Sequence, residues 1–281
     1  MIERIAVLGA GTMGHGIAYV AIAAGYPVQL FDVSQGVLES AVSSIGTLAE
    51  KAVGRADITS VQCRDVLARL SATTSIVEAV QHADLVIEAV PERIEVKLTT
   101  FESLQNNAQP TAVLASNTSA LSITEMASVL EDPSRLAGMH FFNPVHRMKL
   151  VEIVRALETS DRTIAAIQEV ATRMGKETVL VRESPGFITS RLNALIGNEA
   201  FYMLQEGVGT ARDIDKAATL GLNHPMGPFE LVDLVGLDTR LAILQHLHRT
   251  LGDKFRPCPL LEQYVKAGRL GRKTGRGVYD Y

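Results

Sequence analysis

The sequence lacks features that define several classes of protein. It holds only two cysteines, Cys63 and Cys258, which stand far apart without metal-ligand spacing, so we expect reduced thiols and no metal site. No apolar run approaches the roughly 20 residues that span a bilayer, which predicts no membrane segment. The 27 Lys and Arg residues stand against 31 Asp and Glu residues, and this net charge of −4 excludes the basic surface typical of nucleic-acid binders.

We also expect no signal peptide, because a strand pattern begins at once and the first residues lack the charged and apolar regions of a leader. We therefore expect a cytoplasmic protein. The chain of 281 residues is 47% hydrophobic, which predicts a sizeable core in two modest domains or one large domain. An acidic ligand would have to meet a local cationic patch, since the chain as a whole is slightly acidic.

The first 32 residues carry a dinucleotide-binding pattern. A short apolar strand, Ile5–Leu8, is followed by the segment Gly9-Ala10-Gly11-Thr12-Met13-Gly14, a helix ending near Ala24, and a second strand with Asp32 at its end. Strand, G-x-G-x-x-G, helix, strand and acid in this order predict a Rossmann-type unit. The alternative is a glycine-rich turn in an unrelated α/β fold.

Each part of this pattern has a physical reason. Gly9 permits a tight turn, Gly11 lets the backbone approach a pyrophosphate, and Gly14 allows close packing of helix on strand. The helix N-terminus presents N–H groups to the phosphates. Asp32 can accept hydrogen bonds from the adenosine ribose and would repel a 2′-phosphate, which favours NAD over NADP. The predicted dinucleotide contacts are Gly9, Gly11, Thr12, Met13, Gly14 and Asp32.

Two helices predicted at 35–53 and 60–70 form a hairpin that is unusual in a plain nucleotide-binding sheet. Lys51 and Arg55 give it positive charge. These side chains are either solvated on an exposed face or form a clamp for a phosphorylated ligand.

Two buried strands predicted at 84–90 and 112–115 lead to a polar segment, Ser116-Asn117-Thr118-Ser119. Open α/β sheets bind ligands at the carboxyl ends of their strands, so Ser119 is a candidate to hydrogen-bond a substrate. Its alternative role is to cap the helix predicted near 121–129.

A hairpin predicted between 136 and 154 carries the candidate chemistry. If it folds about its midpoint near His146, then His140 lies opposite Glu152, with Cβ atoms roughly 5 Å apart on one face of the sheet. A carboxylate at that distance can hold an imidazole in one tautomer and stabilise its cation, as in a base–orienter pair. The alternative is a half-buried salt bridge with a structural role.

Beyond Glu183 the strand pattern disappears and helices are predicted at 187–205, 211–219, 228–235 and 237–251. The expected fold is therefore an α/β, Rossmann-type, mostly parallel sheet with an inserted helical hairpin over 1–183, followed by an all-α domain over 184–281 for substrate binding and dimerisation. The long apolar face of the 187–205 helix predicts a homodimer through these helices, and the two domains predict a cleft between them.

Six segments together resemble the L-3-hydroxyacyl-CoA dehydrogenases, and most closely the bacterial 3-hydroxybutyryl-CoA dehydrogenases, over essentially the whole chain. They are Gly9–Gly14, Ser116–Ser119, Gly138–Pro144, Ser184–Phe187, His224–Glu230 and Gly271–Gly275. The resemblance implies an NAD-dependent enzyme that interconverts 3-hydroxyacyl-CoA and 3-ketoacyl-CoA.

The resemblance also implies residue roles. His140 would be the general base, Glu152 would orient it, and Ser119 would hydrogen-bond the substrate oxygen. Coenzyme A would lie along the hairpin near Lys51 and Arg55. Further dinucleotide contacts would come from Glu92, Lys97, Asn143 and Lys273.

One position departs from the family pattern. Many relatives carry Asn where this chain has Ser190, so either Ser190 reaches the substrate through water or Asn193, one helical turn on, takes its place. Two other functions share the fold: a dehydrogenase of free hydroxy acids, such as carnitine or a sugar acid, and a non-catalytic NAD sensor.

Overall fold

The computed structural model describes residues 1–281, which form two compact units, Met1–Glu183 (unit 1) and Ser184–Tyr281 (unit 2). Unit 1 is an α/β sheet structure and unit 2 is helical, so the predicted fold class is confirmed. None of the helices is both long and apolar enough to cross a bilayer.

Unit 1 is built on one eight-stranded sheet in the order β3-β2-β1-β4-β5-β6-β7-β8. All neighbours pair in parallel except β6 and β7, which form the predicted antiparallel hairpin. The strand order reverses beside β1, at the crevice where doubly wound sheets bind nucleotides. The strands are β1 (Ile5–Leu8), β2 (Val28–Phe31), β3 (Leu70–Thr73), β4 (Leu85–Glu88), β5 (Val113–Ser116), β6 (Leu136–Phe141), β7 (Leu150–Arg155) and β8 (Glu177–Arg182).

Seven helices accompany this sheet. The central strands β1, β4 and β5 are buried along their whole length, as expected of parallel strands covered on both faces. The helices are α1 (Thr12–Ala23), α2 (Gln35–Gly54), α3 (Ser60–Leu67), α4 (Ile76–Val80), α5 (Ile94–Asn107), α6 (Ile123–Ala127) and α7 (Asp161–Arg173).

The region after the helical hairpin corrects the sequence prediction. The helix predicted to reach residue 70 ends at Leu67, and Leu70 begins β3, which was not predicted. The short helix α4 was also missed. Strand β3 has no buried residue and its sequence is Leu-Ser-Ala-Thr, because it is the edge of the sheet and carries little of the apolar signal that marks a central strand.

Unit 2 contains five helices around an apolar core that includes Phe201, Phe229, Leu244 and Phe255. The predicted bounds of α10 and α11 agree with the structure, whereas α12 was not predicted. The helices are α8 (Thr189–Gln205), α9 (Ala211–Gly221), α10 (Pro228–Val235), α11 (Leu237–Leu251) and α12 (Pro259–Lys266).

Candidate active site

The turn between β1 and α1 is shaped for close approach of a ligand to the backbone. Gly9 has φ +95°, and a Cβ there would lie 2.5 Å from the carbonyl oxygen of Ala89. A Cβ on Gly14 would lie 1.6 Å from the carbonyl oxygen of Gly9, so a side chain is excluded there too. At Gly11 no atom lies within 4 Å of a Cβ, and no side chain caps the N-terminus of α1. This open, uncapped helix end suits a pyrophosphate.

Asp32 lies beside this turn at the end of β2. One carboxylate oxygen, Oδ2, accepts the backbone N–H of Ala10 at 2.9 Å, and Oδ1 accepts that of Ser34 at 3.0 Å. A carboxylate oxygen has two lone pairs, so each can accept a further hydrogen bond from a ribose hydroxyl. The glycine turn is suited to the pyrophosphate of an adenosine diphosphate, and the oriented Asp32 is suited to its ribose.

His140 and Glu152 meet across the β6–β7 hairpin. They are direct partners in the strand register, as the predicted fold-back about residue 146 requires. Nδ1 of His140 lies 2.7 Å from Oε2 of Glu152, and the two side chains are 8% and 0% exposed. The ring of Phe142 packs against the imidazole with centroids 4.5 Å apart. Strand pairing therefore holds the imidazole and its carboxylate in a fixed, largely dry position.

The pairing also determines the chemistry of the imidazole. An ionised carboxylate can only accept, so Nδ1–H donates to Glu152 and the neutral ring has Nε2 as its basic nitrogen. If Nε2 takes up a proton, the carboxylate at 2.7 Å stabilises the resulting cation. The arrangement can thus serve as a general base with an orienting partner.

Asn117 connects this hairpin to the polar segment that follows β5. Its side-chain oxygen accepts the backbone N–H of Phe141 at 2.9 Å, next to His140. Asn143 is exposed in the connection between β6 and β7. The end of β6 is therefore fixed to the segment that carries Ser119.

Ser119 is held by Glu92 and does not cap a helix. Its backbone N–H and its hydroxyl lie 2.8 Å and 3.2 Å from Oε1 of Glu92. The helix cap is Ser122, whose hydroxyl accepts the N–H of Glu125, so the alternative role considered for Ser119 is wrong. Burial would raise the pKa of Glu92, but the Lys97 ammonium and the hydrogen bonds from Thr118, Ser119 and Lys97 outweigh it and lower that pKa.

Lys97 is buried between two carboxylates. Its ammonium lies 2.7 Å from Glu88 and 3.2 Å from Glu92. Sequence reasoning assigned no role to Glu88, the only charged residue within β4. Its signal was available, since an acid inside an otherwise apolar buried strand needs a partner. Burial raises the pKa of Glu88, although Lys97 and Ser116 oppose the rise.

Cationic side chains collect near the end of α2. Lys51 is in the last turn of α2, and Arg55, its C-cap, pairs with Asp57 at 2.8 Å. The pKa of His146 is lowered by burial and then by the positive charges of Arg147, Arg55, Lys176 and His15. Sequence reasoning missed His15, His146 and Arg147, because they come from α1 and from the β6–β7 connection and have no common spacing.

The predicted sites in unit 2 lie on two different elements. Ser190 and Asn193 are half-buried in the first two turns of α8, three positions apart. Lys273 pairs with Asp238 at 2.6 Å, and this contact lowers the pKa of Asp238 against the opposing effect of burial.

Comparison with known families decides the assignment. The family model for the NAD binding domain of 3-hydroxyacyl-CoA dehydrogenase matches residues 4–184, and the model for the C-terminal domain of the same enzyme matches residues 186–281. The chain belongs to the 3-hydroxyacyl-CoA dehydrogenase family. Members of this family are NAD-dependent oxidoreductases, and NAD is the cofactor of this chain.

Relatives within the 3-hydroxyacyl-CoA dehydrogenase family match over the full chain. A probable 3-hydroxybutyryl-CoA dehydrogenase from Bacillus subtilis is 46% identical over 100% of this chain and 98% of its own length. The crystal structure of (S)-3-hydroxybutyryl-CoA dehydrogenase from Ralstonia eutropha has a TM-score of 0.97 and 39% identity, covering 100% of this chain and 99% of that one. A 3-hydroxyadipyl-CoA dehydrogenase from Escherichia coli is 40% identical over 100% of this chain and 59% of its own length.

Proposed function

We propose that the protein oxidises the 3-hydroxyl group of a short-chain L-3-hydroxyacyl-CoA, such as 3-hydroxybutyryl-CoA, to a ketone with NAD, and catalyses the reverse reduction. The observation that carries the proposal is the buried His140–Glu152 pair, with Nδ1 and Oε2 at 2.7 Å, in a chain of this family. The names of the relatives from Bacillus subtilis and Ralstonia eutropha support the short acyl chain.

In this mechanism Nε2 of His140 takes the proton of the 3-hydroxyl group. Glu152 keeps Nδ1 protonated before the transfer and stabilises the imidazolium after it. Ser119 hydrogen-bonds the substrate oxygen and keeps it in line with His140. When bound, NAD supplies the acceptor for the hydride that leaves C3. A positioned base of this kind contributes about 10²–10⁴ in rate.

The dinucleotide would be held by the glycine turn and by side chains around it. Gly11, Thr12 and Met13 would face the phosphates and Asp32 the ribose, while Gly9 and Gly14 keep the turn compact. Glu92, Lys97, Asn143 and Lys273 stay predicted contacts. Because the Lys97 ammonium is engaged by Glu88 and Glu92, its effect on NAD would act mainly through Glu92.

Coenzyme A would bind along the end of α2. Lys51 and Arg55 would meet its phosphates, and Arg147 adds positive charge to the same region, with the imidazole rings of His15 and His146 beside it. Lys176 donates to the carbonyl oxygens of Val145 and Met148, and so supports the connection that carries His146. For the acyl group, Ser190 through water or Asn193 directly would complete the contacts.

We infer a homodimer through unit 2, and its exposed apolar surface supports this. Leu192, Ile196, Leu220 and Leu222 are exposed. Ile196 and Leu222 also line a cavity of about 930 Å³, whose walls are mainly apolar side chains of α8 and α9. A surface of this kind is typical of an interface. Sedimentation equilibrium should give twice the chain mass for the wild type and a monomer for I196E/L222E. A cytoplasmic location stays a prediction.

Steady-state turnover on a substrate panel tests the proposed activity. Purified protein should reduce NAD with 3-hydroxybutyryl-CoA at a kcat/KM at least about 100-fold above that for free 3-hydroxybutyrate, carnitine or a sugar acid, since the free acids lack the coenzyme A contacts. Preference for a free acid would establish the second dehydrogenase function. Absence of NADH with every substrate, despite NAD binding, would leave only the sensor.

A further inference from the structure

A chain of contacts joins the interior of the sheet to Ser119. Glu88, the last residue of β4, is fully buried; its Oε1 accepts Nζ of Lys97 at 2.7 Å and its Oε2 accepts the hydroxyl of Ser116 at 2.6 Å. Nζ of Lys97, in α5, also lies 3.2 Å from Oε2 of Glu92. The other oxygen of Glu92, Oε1, accepts the backbone N–H and the hydroxyl of Ser119.

The two ends of this chain differ in rigidity. Glu88 is fixed by β4, which pairs with strands on both sides, and its side chain is 0% exposed. Glu92 follows the strand and its side chain is 42% exposed, so its rotamer depends on its partners. These are Lys97 at Oε2 and, at Oε1, the hydroxyl of Thr118 at 2.6 Å. Lys97 holds Oε2 of Glu92 and thereby turns Oε1 toward Ser119. The buried Glu88–Lys97 pair therefore fixes the exposed carboxylate of Glu92 relative to the sheet.

Packing alone does not account for this ion pair. Apolar residues of similar volume at a buried ion pair usually give equal or greater stability, because both charges lose their hydration. Other buried cations of unit 1, such as Lys176 and Arg135, are satisfied by main-chain carbonyl or side-chain amide oxygens and do not lead to a polar group at a strand end. The Glu88–Lys97 pair does lead to one.

We propose that Glu88 is a positioning residue for Ser119, acting through Lys97 and Glu92. The proposal rests on the substrate-binding role given to Ser119 above. Glu88 touches neither substrate nor dinucleotide in this account. Its carboxylate fixes the ammonium, and the ammonium fixes Glu92. Glu92 accepts the backbone N–H of Ser119 at 2.8 Å and so fixes the place from which the Ser119 hydroxyl, on leaving its longer contact with Glu92, reaches the substrate oxygen.

The test compares E88Q, S119A and the double variant in steady-state turnover of 3-hydroxybutyryl-CoA and NAD. Gln keeps the shape of Glu88 but removes the charge that holds Lys97, so kcat should fall about 10–100-fold, as expected for a reacting group displaced by a fraction of an ångström to an ångström. KM for acyl-CoA should change less than about threefold. The E88Q/S119A variant should have the kcat of S119A alone, because Glu88 can act only while the hydroxyl is present.

Two further variants keep the test decisive. E88M/K97M removes both charges at once and is expected to fold, since an apolar pair replaces an ion pair; its kcat should also fall, with no added loss from S119A. E183Q is the matched control, because Glu183 accepts the hydroxyls of Ser122 and Thr124 and has no bond to Ser119. Its kcat should equal that of the wild type.

The outcomes separate the proposal from the function on which it rests. Multiplicative losses in E88Q/S119A, or a change confined to the KM for NAD, would overturn the positioning role. A low kcat in S119A together with a normal kcat in E88Q and E88M/K97M would do so as well, and would leave the role of Ser119 intact. Normal kcat in S119A would remove the role of Ser119 and the positioning role together.

Discussion

Replacing Arg240 by methionine should stabilise the protein. Arg240 lies in α11, is 2% exposed, and has an Nε without a hydrogen-bond partner; no aspartate or glutamate forms an ion pair with it. Its stem fits beside Gly197, where a Cβ would lie 3.7 Å from Nε and 3.9 Å from Cδ. Methionine can fill the space of that stem without a charge.

The magnitude follows from the pKa of the guanidinium. Burial lowers the pKa of Arg240 well below its ordinary value, to about 10. At about 1.4 kcal/mol per pH unit, this corresponds to about 3 kcal/mol against the charged form in the folded state. The variant also loses some contacts of the guanidinium, so R240M should raise the free energy of unfolding by about 1–3 kcal/mol.

The pH dependence has a definite sign. The folded pKa of Arg240 lies below the unfolded one, so the penalty is fully present below about pH 10 and is relieved as the pH rises through that value. The advantage of R240M over the wild type should therefore be complete at neutral pH and should shrink in strong alkali.

Calorimetry at neutral pH measures the unfolding temperatures of R240M and the wild type, and R191M is the matched control. Arg191 lies in α8 of the same unit, donates to Ser184 and stacks over Phe255, so its loss should destabilise the protein. A lower unfolding temperature for R240M than for the wild type would show that the buried charge of Arg240 does not destabilise the folded state.

Three further predictions concern the candidate active site. E152Q should lower kcat by about 10² or more, because the amide can hold the imidazole in the wrong tautomer; near-normal turnover would contradict this. G14A should lose NADH binding in a fluorescence titration, since its Cβ would lie 1.6 Å from the Gly9 carbonyl oxygen; an unchanged Kd would show that the turn has another shape. K51A/R55A should raise KM for acyl-CoA about tenfold at low salt, with kcat unchanged and the effect reduced at high salt; equal KM values for variant and wild type would place coenzyme A elsewhere.

Repeating patterns in the sequence were sufficient for much of the fold. The His140–Glu152 register could be predicted because the midpoint of a hairpin fixes which residues lie opposite each other. The bounds of α10 and α11 were predicted because Pro228, Gly236 and Gly252 mark their ends in the sequence.

The missed features depend on tertiary contacts. Strand β3 exists because β2 offers it an edge, and not because Leu-Ser-Ala-Thr favours a strand. The Glu88–Lys97–Glu92 chain depends on how α5 packs on the sheet, which residue spacing does not encode. For the same reason His15 and His146, far apart in sequence, could not be connected with Arg55 in advance.

Replacing His140 by glutamine tests most directly whether His140 takes the proton of the substrate hydroxyl. The variant should form NADH from 3-hydroxybutyryl-CoA with a kcat at least about 10²-fold below that of the wild type. Its NADH affinity should stay within about twofold, because the glycine turn and Asp32 are unaltered. Full turnover by the correctly folded H140Q protein would contradict the account.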